Sequence, residues 1–184
     1  MNMICLAASL MLVTLSGLDT PCTSGPTHGQ RTGPYAAIIS TGPERGRSHC
    51  YICETGEKPA VIVFARSLSK ELGPLAEKVD KAMAEHKAAD LRGWMTFLKG
   101  DQLKFDPQVV NFAKEHSLGR IPIGIFEDEG GPPSYRLTRD ADITVLVCKK
   151  QKVEVNFAFR SGELTPARLN DIVKAINDAV KTAK

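Results

Sequence analysis

Two cysteines three residues apart, Cys50 and Cys53 in "SHCYICETGEKPAVIVFA", carry the densest chemistry in the chain. The CxxC spacing brings two Cα atoms within disulfide range when the intervening residues turn. Three readings follow from it. The pair is a small structural disulfide beside a strand. Alternatively it exchanges disulfides with another protein, Cys50 attacking as a thiolate and Cys53 resolving. As a third reading, CxxC is half of a zinc site, which needs two more ligands. His49 and Cys148 complete a set only if the fold brings a distant hairpin to this loop. Covalent haem is excluded because the histidine of "HCYIC" precedes the pair instead of following it. No cofactor is implied.

A thiol attacks only as its thiolate, and the evident aids to ionisation near Cys50 are Arg45, Arg47 and His49. The segment after the pair, "ETGEKP", contains Gly and Pro and leads into a strand, so no helix N-terminus stands ready to help. Cys148 ends an apolar run and reads as a buried small hydrophobe.

Composition narrows the setting. Lys and Arg number 24 against 21 Asp and Glu, a net +3 that is dispersed along the chain, so no nucleic-acid partner is implied. Residues 3 to 18, "MICLAASLMLVTLSGL", are uncharged and apolar, of signal-peptide length and short for a membrane span. The expectation is a signal segment at 1–25, removal of Cys5 with it, no membrane span in the mature chain, and export to a periplasmic or extracellular setting where disulfides persist. Pro21 before Cys22 argues against lipidation. Residues 26–48, rich in Gly, Pro, Ser and Thr, read as a flexible leader, with only "YAAII" (35 to 39) able to add an edge strand. Residues 49–184 form one domain.

The elements that must position the pair are legible as patterns. "PAVIVFA" (59 to 65) is a buried central strand, and the following segment places Leu72, Leu75, Val79, Ala82 and Met83 at helical spacing, with Pro74 kinking the first turns. "RGWMTFL" (92 to 98) is a second strand. Residues 106 to 119 read as a helix capped by Asp106, opened by Pro107 and stopped by Gly119. "IPIGIF" (121 to 126) is a third strand; "ITVLV" and "KVEVNFAF" flank a tight turn as an antiparallel hairpin. Thr165 caps and Pro166 opens a last helix with Leu169, Ile172, Val173, Ile176 and Val180 on one face. Trp94, Phe64, Phe97, Phe126 and Phe157 fall at core positions, and His86 and His116 fall at helix ends.

This β-α-β-α-β-β-β-α order, with a parallel half, a β-hairpin and a C-terminal helix, resembles the thioredoxin-like fold of peroxiredoxins and secreted thiol-disulfide proteins over about residues 59 to 180. The segments that carry the likeness are "PAVIVFARSLSKELGPLAEKV", "IPIGIFEDEGGPPSYRL" and "DITVLVCKKQKVEVNF". The resemblance implies an α/β, three-layer α/β/α architecture. It further suggests a sheet in which the strands at 60–65, 121–126 and 143–147 are neighbours and helices cover both faces. It also implies a thiol-disulfide role with a protein disulfide substrate or redox partner. At the turn where this family sets its nucleophilic cysteine the sequence reads Arg66, Ser67, Leu68 and Ser69, and Asp142 stands in place of the family's cis-proline. Ser67 and Ser69 read there as helix caps, and peroxidase chemistry is not expected. Two function classes remain open: an oxidoreductase with a displaced pair, Cys50 and Cys53, and a non-catalytic module of the same fold in which the pair is structural or binds metal.

Overall fold

The computed structural model describes residues 20–181. Residues 1–19 of the expected signal segment lie outside them, and residues 20–25 lie within, Ser24 among the partners of Asn156. Among the described residues one mixed sheet runs in the order β2-β1-β5-β4-β3-β6-β7. Its strands are β1 (Ala37–Thr41), β2 (Ser48–His49), β3 (Ala60–Ala65), β4 (Arg92–Leu98), β5 (Ile123–Phe126), β6 (Ile143–Lys149) and β7 (Lys152–Phe159). β3, β4 and β5 are mutually parallel in sequence, and β6 pairs antiparallel with β3 along its whole length, from Ala60 opposite Cys148 to Ala65 opposite Ile143.

The strand at 121–126 is therefore not a neighbour of β3. β4 lies between them, because a short β-α-β crossover places each successive parallel strand beside the last. β1, expected at the edge, is instead covered on its outer side by the two-residue β2.

Every residue of β3 is buried, and its alternation feeds two cores. Val61, Val63 and Ala65 join a cluster with Leu75 and Val79 of α1 (Leu72–Glu85), Val109 and Phe112 of α2 (Gln102–Glu115), and Ile172 and Ile176 of α3 (Pro166–Lys181). Ala60, Ile62 and Phe64 join Ile52, Trp94, Tyr135, Leu146 and Cys148 on the other face. The second covering layer is thus built of short 3-10 turns at Tyr51–Glu54 and Pro133–Tyr135 and of irregular chain, not of α-helix.

Much of that irregular chain is the segment expected as a flexible leader. Gly29 N–H donates to Val153 O (2.8 Å), Val153 N–H to Gln30 O (2.9 Å), and Thr32 N–H to Gln151 O (2.9 Å), so the segment caps the open edge of β7. Asn156 Nδ2 donates to both Ser24 O and Pro26 O at 2.8 Å. Composition alone disfavoured order here. What overrides it is a set of unpaired backbone groups on an edge strand, which a low-complexity segment can satisfy as well as any other.

Two helix expectations change. α2 starts at Gln102, where Asp101 accepts from Lys104 N–H at 3.1 Å, so Pro107 sits inside the helix. The helix ends at Glu115, before Gly119, through the left-handed Ser117 (φ 52°). Pro74 is the third residue of α1, among the first-turn N–H positions that have no intrahelical acceptor, so it costs no hydrogen bond there. The hairpin is as expected, its turn made by Lys150 and Gln151, both at positive φ (51° and 57°). α3 begins at Pro166 with Leu169 N–H on Thr165 O (2.9 Å).

α1 and α2 meet at Gly73, where an added Cβ would lie 2.0 Å from the His116 ring. That ring is held by Glu77 at 2.7 Å. Gly73→Ala is expected to destabilise the fold by about 1–3 kcal/mol, the overpacking cost exceeding the helix-propensity gain of about 1 kcal/mol. Urea unfolding checks this. In a His116→Ala background the same substitution should cost nothing, and an equal cost there would contradict the clash.

Candidate functional site

The CxxC segment lies at the entrance of β3. Cys50 follows β2, the 3-10 turn Tyr51–Glu54 carries the chain round, and the backbone enters β3 at Ala60. Cys50 and Cys53 are bridged, with Cα atoms 5.5 Å apart. The turn is pegged from below by Ile52, which is buried in the second core. Thr55, also buried, donates its hydroxyl to Tyr51 O at 3.0 Å. Gln151 of the hairpin turn reaches across to donate to Ile52 O at 3.2 Å. Held in this way, the turn leaves Cys53 and Glu54 exposed, while Cys50 is half-buried against the apolar cluster.

The neighbouring charges are already matched. Arg45 pairs with Asp106 (3.2 Å) and donates to Ser40 O, Arg47 pairs with Glu44 (3.7 Å), and His49 lies 3.3 Å from Glu54. Arg45 and Arg47 therefore each answer to a carboxylate, while the buried His49 Nε2 lies near Glu54 without a hydrogen bond. Cys148 is fully buried opposite Ala60, and burial pushes its thiol up to about 12, so it is an inert hydrophobe at working pH. Among the described residues no three His, Cys, Asp or Glu side chains come together in a way that would hold a metal ion.

The other end of β3, about 20 Å away at ~3.3 Å per residue, is where the resemblance would place a nucleophile. There Arg66 N–H donates to Asp142 O (2.9 Å), and the Ser67 hydroxyl donates to the Asp142 carboxylate (2.8 Å to either oxygen). Asp142 therefore does stand beside that turn. The Arg66 guanidinium donates to Ala141 O (3.0 Å), Thr138 O (3.0 Å) and Glu129 O, tying the 127–142 connection to the strand end. Ser67 does not cap α1. Ser69 does not either, its hydroxyl being buried without a partner, and Glu71 at the cap position makes no side-chain bond. A carboxylate bound to a hydroxyl and a guanidinium bound to three carbonyls make a closed polar lock.

Two features lay beyond sequence reading. A cleft of about 150 Å³ opens beside the CxxC turn, lined by Pro43, Tyr51, Glu54, Met83, Trp94 and Arg120 among others. Its walls come from five separate stretches of chain, so no local motif announces it. One wall is set by Asp80 of α1, whose carboxylate oxygen accepts the N–H groups of Gly119 (3.1 Å), Arg120 (2.6 Å) and Ile121 (2.8 Å).

No family model matches the chain, and no curated protein matches it by sequence. Solved structures do match. A protein from Bacteroides thetaiotaomicron, provisionally assigned as a protein disulfide isomerase, superposes with a TM-score of 0.65 at 17% identity, over 86% of this chain and 93% of that one. A secreted Mycobacterium tuberculosis disulfide oxidoreductase homologous to E. coli DsbE gives 0.54 at 10% identity, over 78% and 95%. A yeast mitochondrial 1-Cys peroxiredoxin gives 0.59 at 11% identity, over 85% and 77%. At these identities the likeness establishes the thioredoxin-like fold, which this chain has, and leaves chemistry to the site.

Proposed function

We propose that this chain is an exported thiol-disulfide oxidoreductase of thioredoxin-like fold that works through Cys50 and Cys53. One observation carries the reading: the bridge sits, half exposed, on a turn that Ile52, Thr55 and Gln151 already hold in place. A disulfide closing a loop with two intervening residues adds little constraint to the unfolded chain. A staple is least needed where three other contacts fix the backbone. What the bridge does supply is an accessible sulfur.

The greater exposure of Cys53 supports an order of attack opposite to the one expected from sequence. A substrate thiolate attacks Sγ of the exposed Cys53, the S–S bond breaks, and Cys50 leaves as a thiolate that takes up a proton. The second substrate thiolate then attacks its own sulfur in the mixed disulfide and expels Cys53. The substrate dithiol loses two electrons and two protons, and Cys50 and Cys53 gain them. The reverse sequence reduces a substrate disulfide. The arginines expected as activators, Arg45 and Arg47, are already paired, so exchange is expected to be slow near neutral pH and to rise as the thiols ionise.

The test is Cys50→Ser/Cys53→Ser against wild type in insulin-disulfide reduction. Exchange is expected to fall to the uncatalysed rate, while stability falls by less than the ~2 kcal/mol at the lower end for native bridges. A large loss of stability from a wild type that has no exchange activity would support the structural reading instead. Export rests on the apolar residues 3–18 and agrees with a secreted structural neighbour. N-terminal sequencing of the protein recovered outside the cytoplasm checks it, and an intact Met1 there would contradict cleavage. Among the described residues no helix is long and apolar enough to cross a membrane.

A further inference from the structure

The cleft beside the CxxC turn has no part in the exchange chemistry itself, yet it is built in part on residues of the same turn. Tyr51, between the two cysteines, and Glu54, next to Cys53, both line it. Its floor is aromatic: the Tyr51 ring lies 5.9 Å from Trp94 at a shallow 31° and 4.4 Å from His49. Met83 adds a polarizable apolar wall.

Two guanidiniums stand at the rim. Arg92 is bound by Asp90 at 2.9 Å, whereas the Arg120 side chain has no ion-pair or hydrogen-bond partner among the described residues. The Tyr51 hydroxyl is buried and also lacks a partner. Burial, with Glu44 and Glu54 nearby, pushes that phenol up to about 12, so it stays a neutral donor. Glu54, the carboxylate in the lining, faces His49. The cleft thus combines an apolar floor with an unanswered cation.

We propose that this cleft docks a polypeptide segment in which an apolar or aromatic side chain is followed by a carboxylate, and that it selects substrates for Cys53. The side chain lies against Tyr51, Met83 and the edge of Trp94, and the carboxylate meets Arg120. The substrate-selecting part rests on the redox reading above; the docking part does not.

Trp94 is the chain's single tryptophan, so its fluorescence reports occupancy directly. The probe is a cysteine-free pentapeptide carrying phenylalanine then aspartate, titrated into Cys50→Ser/Cys53→Ser protein so that no exchange intervenes. A saturable change is expected, at least about fivefold tighter than with lysine replacing the aspartate, a modest charge-pair preference for a half-exposed site. Arg120→Ala should erase the preference, Arg120→Lys should keep it, and Arg120→Glu should invert it. No saturable change, or equal affinity for both peptides, would overturn the proposal. In wild type, the preference without any exchange would refute the redox reading and leave the docking pocket supported. Exchange without the preference would do the opposite.

Discussion

Tyr135→Ala is expected to destabilise the protein by about 3–5 kcal/mol, the range for truncating a fully buried aromatic ring. Tyr135 is 0% exposed and meets Phe64 and Tyr35 edge-on, at 4.9 and 5.2 Å between centroids. Its hydroxyl donates to Gly33 O at 3.0 Å, so one side chain both fills the second core and pins the N-terminal segment over it. Among the described residues no α-helix covers this face. Burial also holds the phenol well above its usual range, so it stays neutral and the bond to Gly33 survives at any working pH. Tyr135→Phe should cost only about 1 kcal/mol, the net worth of one hydrogen bond. Urea unfolding with an unchanged m-value measures both. A cost below about 1 kcal/mol for Tyr135→Ala would mean that this face is not packed as described.

Asp80→Ala should cost about 2–4 kcal/mol, since one carboxylate oxygen answers three consecutive backbone N–H groups. Hydrogen bonds to a charged acceptor are worth about 1.5–3 kcal/mol each, but they share one oxygen and are partly solvated, so they do not add. Asp80→Asn keeps a neutral acceptor and should cost less. The second consequence is local: the 119–121 stretch carries Arg120 into the cleft and leads directly to Pro122 in its lining, so a loosened stretch should blur the charge preference there while leaving the CxxC bridge intact. Hydrogen exchange at residues 119–121 reads the loosening without any substrate. Protection equal to wild type in Asp80→Ala would contradict the anchoring role.

What was legible in the sequence was whatever repeats locally. β3 announces itself as a continuous apolar run, α3 by its cap and stripe, and the β6–β7 hairpin by two alternating strands about a short polar turn. The start of α2 was not, because Asp101 and Asp106-Pro107 are both valid start signals. The earlier one prevails through tertiary contacts, Phe105 against Phe97 at 5.2 Å and Gln102 on Ile125 O at 3.1 Å. Order in the N-terminal segment depends on Val153 and Asn156, more than 100 residues away, and composition carries no trace of such partners. For the site, residue types were enough to single out Cys50 and Cys53 and to place them at the entrance of β3. They did not show that Cys53 is the exposed member, that the nearby arginines are already paired, or that a cleft adjoins the turn. Each of those depends on where a separate segment comes to rest.

The central claim is that the Cys50–Cys53 bridge is a working redox couple and not a staple. Equilibrating the folded protein in glutathione buffers of graded potential and counting thiols by mass after alkylation tests it most directly. The account predicts that two thiols, assigned to Cys50 and Cys53, appear while the fold is retained, with a midpoint more oxidising than about −300 mV, the level below which structural bridges resist the glutathione pool. A bridge that opens only below that potential, or only when the protein unfolds, would contradict it.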